Sequence, residues 1–323
     1  MGRFSPSVER IQLPPSQLAG GKLVLQWADA PTLSSSSVRP GIRHSSDYLL
    51  ARVTRGVESL PEQQVGIELR RLAPANWSHA INHHLLQSLL LRREIERQRP
   101  VEQARVILPK GIPRYITNLY TLFGFQPLIA DLPVRGRIGE FYEEPFSCHR
   151  AVMTDLVEEL VHDSPIAKRL FQSGIDLPKK VFISRKDTRR VLNEPEVERF
   201  LNGQGYVKIF PETLKIEEQF ALFAGATHVV GVHGAGLGPF AYRPRHRPCV
   251  FVEILSPGHM TDFYRFIAHQ IGARWVGVRG CLWPSLVADA HAFDAPFKRH
   301  SLSDFRVDVS SLGAALEIAE SPG

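Results

Sequence analysis

The segment VVGVHGAGLGPF, Val229 to Phe240, constrains this chain more than any other. Three valines, Val229, Val230 and Val232, run into a stretch that carries four glycines, at 231, 234, 236 and 238, and a single histidine, His233. Branched residues of this kind favour a buried strand, and glycines let the chain turn where a Cβ would clash. A helix beginning near Leu237 would then present unpaired amides and the positive end of its dipole to an anion. The spacing is not the dinucleotide fingerprint GxGxxG, and no Lys-Ser/Thr pair follows the last glycine as a triphosphate loop requires. Taken alone, these residues fit a purely structural strand-to-helix turn equally well.

The flanking sequence repeats a strand-helix alternation. Lys179 to Arg185, KKVFISR, reads as a strand, and DTRRVLNEPEVERFL after it reads as a turn entering a helix. Gly205 to Phe210 is a second short strand, and Leu214 to Ala226 is a helix with apolar residues at 216, 220, 223 and 224. Cys249 to Leu255, CVFVEIL, is a further strand with one acid, Glu253, near its end. This succession predicts a parallel sheet with helices on its faces. Ligands in such sheets sit beyond the carboxyl ends of the strands, where Arg185, the turn at 233–238 and Glu253 all fall.

Several of these residues have two readings. Arg185, Arg189 and Arg190 cluster where strand meets connection, and guanidinium forks match diphosphate oxygens. Alternatively, Arg189 is solvated and Arg190 pairs with Glu194 or Glu196. Asn193 either joins the basic loop or closes the turn before Pro195. Glu253 either accepts from ribose hydroxyls or pairs with a nearby arginine. Gln219 reaches the site from the first turns of its helix, whereas Glu218 is expected to face solvent.

In the N-terminal half, Val65 to Arg71 reads as a strand and Ala80 to Ile95 as a leucine-rich helix, which places Asn76 and His79 of NWSHAINHH at the junction. Imidazole titrates in the range a general base needs, so His79 is one candidate and His233 its rival. His83 and His84 read as surface or packing residues. Asp47, Asp131 and Asp155 are carboxylates without an assigned role. Trp77, Trp275 and Trp283 either stack on sugar faces or belong to the core.

The segments SRKDTRRVLNEPEV, FPETLKIEEQFALFAGATHVVGVHGAGLGPF and VFVEIL together resemble the signature region of glycosyltransferase family 61. The resemblance is strong from about 179 to 280 and weaker from about 65 to 132. That family includes bacterial capsule and exopolysaccharide transferases, plant xylan transferases and eukaryotic O-linked N-acetylglucosaminyltransferases. The resemblance implies an α/β fold of the GT-B type, with two Rossmann-like lobes, parallel sheets and an interdomain cleft. It also implies a UDP-linked nucleotide-sugar donor and inversion at the anomeric carbon. Residue by residue it carries Arg185, Arg190 and Asn193 into a donor-side basic loop and Glu218 and Gln219 into a paired helix position. His233, Gly234, Ala235 and Gly236 match the glycine-rich turn, and Glu253 the closing acid. His79 matches the histidine of an Asn-aromatic-x-His motif facing the acceptor. The family usually continues HGAG with Leu, Thr and Asn, where this chain has Leu237, Gly238 and Pro239.

At 323 residues the chain has room for two helix-sheet domains. The expected organisation is an acceptor-side domain over 1–155 with an irregular entry, a donor domain over 156–300, and a segment 301–323 returning to the first domain. No DxD lies in the donor region, no HExxH occurs, and Cys148, Cys249 and Cys281 lack ligand spacing, so no metal is expected. No run of eighteen apolar residues and no signal-like start is visible, and three cysteines favour reduced thiols. A cytoplasmic protein is therefore expected, peripheral at the inner face of the membrane and in contact with membrane-bound polysaccharide machinery. Its partners would be the donor and a saccharide or glycolipid acceptor. The net charge of +6 is mild, and without a basic, aromatic-interleaved stripe nucleic acid is not expected. Two other classes stay open, a non-catalytic nucleotide- or carbohydrate-binding protein on the same fold and a nicotinamide-dependent oxidoreductase. The second would need the GxGxxG that is missing.

Overall fold

The computed structural model describes residues 10–12, 23–28, 58–60, 64–70, 74–98, 103–131, 134–135, 137–143, 157–171, 176–245, 247–282 and 300–321. Asp47, Asp155, Cys148 and Trp283 lie outside the described residues. The chain divides into two compact units, Met1–Ile166 and Ala167–Gly323.

The first unit holds β1 (Arg10–Gln12), β2 (Leu23–Ala28), β3 (Glu58–Ser59), β4 (Gln64–Glu68), β5 (Gln103–Leu108), β6 (Gln126–Ile129), β7 (Val134–Arg135) and β8 (Arg137–Glu143). Six of these form one sheet in the order β1-β2-β8-β4-β5-β6. The four strands from β8 to β6 are parallel, but β1 and β2 join antiparallel. The expected parallel sheet is present and is extended at one edge by this antiparallel pair, so part of the expected irregular entry is strand. LVLQWA, a near-continuous apolar run too short to stand out from its Pro- and Ser-rich surroundings, is the sequence basis of β2. After β4 the Asn76 side chain accepts from the amides of Ser78 and His79, capping a helical run that passes through a π-turn at Ala80–His84 into Leu85–Gln98.

The second unit is a wholly parallel sheet of β9 (Lys180–Ile183), β10 (Val207–Ile209), β11 (His228–Val232), β12 (Val250–Leu255) and β13 (Arg274–Arg279). The spatial order is β10-β9-β11-β12-β13. Counted along the chain this is the doubly wound order 2-1-3-4-5, whose switch point lies between β9 and β11.

Period-two alternation assigns the faces. Val230, Val232, Val252 and Ile254 point to one side and pack with Val197 and Leu201 of helix Glu194–Gly203 and with Leu312, Ala315 and Leu316 of helix Val309–Glu320. On the other side Phe251 stacks near Phe240 and Tyr264, from the 3₁₀ run Ala235–Tyr242 and the helix Phe263–Gln270. The C-terminal helix, expected to return to the first domain, belongs to the second unit, where Leu312, Ala315 and Leu316 pack in its core; its own N-cap, Asp308, accepts from the Ser311 amide at 2.8 Å. A fully buried Arg243 donates to the carbonyls of Phe223 and Ala226, so it closes the last turn of helix Ile216–Gly225 with a charge of the favourable sign. Among the described residues no helix is long and apolar enough to cross a membrane.

Candidate functional site at the switch point

Two strand ends meet at the switch point. β9 ends in a buried Ser184 and then Arg185, and β11 runs on by one residue, because the His233 amide donates to the Ile254 carbonyl at 2.8 Å. Arg185 leans across this gap. Its Nε donates to the Thr188 carbonyl at 2.7 Å, one terminal nitrogen donates to Thr188 Oγ1 at 3.2 Å, and the other reaches the His233 carbonyl at 3.4 Å. Gly234 is what permits this approach, since a Cβ there would lie 1.5 Å from the guanidinium. The next residues, Ala235 and Gly236, are the partly exposed part of the turn and carry first-turn amides.

On the sheet face beneath the turn, Glu253 lies between two glycines, Gly231 on β11 and Gly277 on β13. Both vacancies are filled. A Cβ at Gly231 would meet Leu237 at 2.6 Å, and one at Gly277 would meet the Trp275 ring at 2.7 Å. Two residues along each neighbouring strand from those glycines are His233 and Trp275, diagonal to Glu253 on the same face. The Glu253 carboxylate, fully buried, faces His233 Nδ1 at 2.6 Å through one oxygen and accepts from Trp275 Nε1 at 2.8 Å through the other. Because an indole N–H only donates and a carboxylate only accepts, this arrangement holds the proton of a neutral His233 on Nδ1 and leaves Nε2 as an acceptor. Tyr264 supports the turn from the other side, its hydroxyl donating to the Gly234 carbonyl at 2.9 Å.

The positive groups converge here. Arg189 takes a left-handed backbone, φ 59°, unusual for a residue with a side chain, and is held by its amide on Leu302 O and its Nε on Ser301 O. Burial lowers the pKa of both Arg185 and Arg189, and for Arg189 the neighbouring Arg185 lowers it further. His259, just past β12, lies with its ring 5.2 Å from that of His233. Burial first, then Arg189, His233 and Arg185, push its pKa down to about 4. Cations and first-turn amides gathered in this way set up a positive local field.

Other expected site residues do different work. Arg190 is committed to Asp304, which takes its Nε and one terminal nitrogen, so neither Glu194 nor Glu196 is its partner. Asn193 is buried as a clasp, donating to Val307 O at 2.8 Å and accepting from Val307 N at 2.9 Å, as a neighbouring peptide group would. Glu218 accepts from the Lys215 amide and caps its helix, and Gln219 is buried with its amide on Leu214 O. Glu253, fully buried, turns one oxygen to His233 and accepts from Trp275 with the other, so an arginine is not the partner that holds these two contacts. Asp131 accepts from the Lys110 amide. His79 lies in the first unit, its ring 5.4 Å from that of His83 and 6.0 Å from that of His84, and Trp77 packs edge-on against Tyr115.

Sequence reasoning passed over Tyr264 and His259, and it read Trp275 as a sugar platform or core residue, not as a carboxylate's partner. The signal for His259 was present in SPGHM, a Pro-Gly turn directly after a strand that ends at the candidate site. Among the described residues no group of three or more His, Cys, Asp or Glu is placed to hold a metal ion.

A two-unit α/β protein, with Arg185 and a glycine turn meeting at the switch point of the second unit's parallel sheet, is what fold and site define. The chain belongs to the glycosyltransferase 61 family, whose sequence pattern matches residues 77–247 and so takes in Arg185 and the glycine turn but stops short of Glu253. Among solved structures it is similar to the E. coli heptosyltransferase WaaC with ADP, at 11% identity over 67% of this chain and 91% of that one, with a TM-score of 0.37. No curated protein matches the sequence.

Proposed function

We propose that this glycosyltransferase moves a sugar with inversion from a nucleoside diphosphate donor, UDP-linked, to a hydroxyl of a glycan or glycolipid acceptor in the synthesis of a capsule or exopolysaccharide. The observation that carries this reading is the meeting of Arg185 with the His233–Gly234 peptide at the switch point, over the buried Glu253–His233 pair. In this reading the diphosphate lies against Arg185, Arg189 and the amides of Ala235 and Gly236, and charge in the leaving group is offset by fixed donors. The acceptor oxygen attacks the anomeric carbon as the bond from that carbon to the β-phosphoryl oxygen breaks, its electron pair leaving with the phosphate.

His233 Nε2 takes the acceptor proton, and Glu253 holds the tautomer that makes this possible. His79, its rival, has no described carboxylate paired with it. Since two side-chain cations, Arg185 and Arg189, already face the diphosphate position together with the turn amides, the reaction is expected to proceed in chelator. The protein is expected to work in the cytoplasm, peripheral to membrane-bound polysaccharide machinery. The test is donor-dependent transfer by purified protein with His79→Asn and His233→Asn variants compared. Loss with His233→Asn alone supports the assignment, and loss with His79→Asn alone reverses it.

A further inference from the structure

His259 was singled out neither by the family resemblance nor by the reaction as described, yet it stands among the same cations. It follows Ser256-Pro257-Gly258 at the carboxyl end of β12, and its amide sector is fixed by the His259 amide donating to Ser256 O at 3.0 Å. Gly258 lets this turn lie flat on the segment after 300, because a Cβ there would fall 2.2 Å from the His300 carbonyl. The imidazole is part-buried and faces His233 from β11 and Arg185 and Arg189 from the loop after β9, while Tyr264 of the neighbouring helix sits against His233. Arg189, the His233 imidazole and Arg185 all disfavour a proton on the ring.

We propose that His259 is a proton-gaining contact for the donor diphosphate: it is neutral in the free protein and takes up one proton as the diphosphate binds. Two phosphate groups between Arg185, Arg189 and His259 reverse the sign of the field at the ring, and opposite charge at close range favours the charged imidazole. The protonated ring then donates to a phosphoryl oxygen. When the anomeric carbon–oxygen bond breaks, the electron pair arrives on an oxygen that already faces His259, Arg185 and Arg189. The proton stays on the imidazole through the transfer and is returned to solvent when the nucleoside diphosphate leaves. This deepens the donor-site reading and rests on it.

The experiment is calorimetric titration of the full chain with UDP, GDP, ADP and dTDP at about pH 5.5, in buffers that differ in ionisation enthalpy, for wild type and His259→Asn. The nucleotide's own titration is common to both proteins and cancels in the difference. The expected result is that wild type takes up more protons than the variant, by about half a proton or more per bound nucleotide. Equal uptake in the two proteins overturns the proposal while leaving the donor-site reading intact. No binding by any of the four nucleotides overturns both. Should His259→Asn fail to fold, heteronuclear NMR of the wild-type histidine rings serves instead. The ring that titrates lowest must move upward when the nucleotide is added, and an unmoved titration refutes the proposal.

Discussion

His233 Nδ1 and Glu253 Oε1 lie 2.6 Å apart on adjacent strands, and the second Glu253 oxygen is held by the Trp275 indole at 2.8 Å. The pair is diagonal in the parallel register, because Glu253 stands opposite Gly231 and His233 is two residues further on. The carboxylate itself is fully buried. Its consequence falls on the imidazole, whose tautomer it sets.

Glu253→Gln tests that consequence. The new amide can accept from only one partner through its oxygen, and Trp275 can only donate, so the amide N–H₂ turns to His233 and favours the tautomer protonated on Nε2. Transfer should fall by roughly a hundred- to ten-thousand-fold, with donor affinity nearly unchanged. Rapid-quench turnover beside calorimetric donor binding separates the two quantities. A variant that turns over at the wild-type rate removes His233 from the role of base.

Gly234→Ala places a Cβ 1.5 Å from the Arg185 guanidinium. The clash is with the end of a long side chain, which can swing aside, while φ 158° at this position adds some backbone strain; folding should survive with a lowered melting temperature while Arg185 leaves the His233 carbonyl. We expect nucleoside diphosphate affinity to weaken by about tenfold, and Arg185→Ala to cut turnover by about a hundredfold or more. Unchanged affinity in a folded Gly234→Ala protein would separate Arg185 from the anion.

In the first unit, Glu68 and Arg70 form a buried ion pair at the end of β4, and Arg70 also donates to Ala130 O at 3.1 Å. Glu68→Ala leaves a buried guanidinium without its carboxylate and should cost about 3–5 kcal/mol. Denaturant unfolding of wild type and variant measures this. A cost under about 1 kcal/mol would be that of a surface pair and would contradict the burial.

His259 gives the stability a pH dependence of known sign. Its folded pKa, about 4, lies below its ordinary value of 6.5, so the unfolded chain binds the proton more readily. The contribution is fully present above about pH 6.5 and is lost as pH falls toward 4. Relative to wild type, His259→Asn should therefore gain melting temperature as pH is lowered through that window, read by scanning calorimetry from neutral pH downward. A difference that stays constant with pH would mean the ring is not held neutral.

The sequence made the second unit readable because its signals are local. The apolar runs at 181–183, 229–232 and 250–255 and the helical spacing at 216, 220, 223 and 224 needed no partner to be seen, and each became a buried element. The antiparallel strands β1 and β2 were hidden because runs of three and six residues among Pro and Ser carry little periodic signal. At the site, placement at strand ends was legible, but partnership was not. Asn193, Arg190 and Glu218 sit close to where they were expected and yet hold Val307, Asp304 and the Lys215 amide. Those partners come from segments up to 114 residues away, and only the folded chain brings them in range. Gly277 is the counterpart: in sequence it is a glycine interrupting a strand, and in the fold it is the space that the Trp275 ring needs to reach Glu253.

The most direct measurement is the binding of nucleoside diphosphates to the purified full chain, by thermal shift and calorimetry, with magnesium and with chelator. The account predicts a selective stabilisation by one nucleotide that persists in chelator and is lost in Arg185→Ala. Binding to none of the nucleotides, or binding that Arg185→Ala leaves untouched, would contradict it.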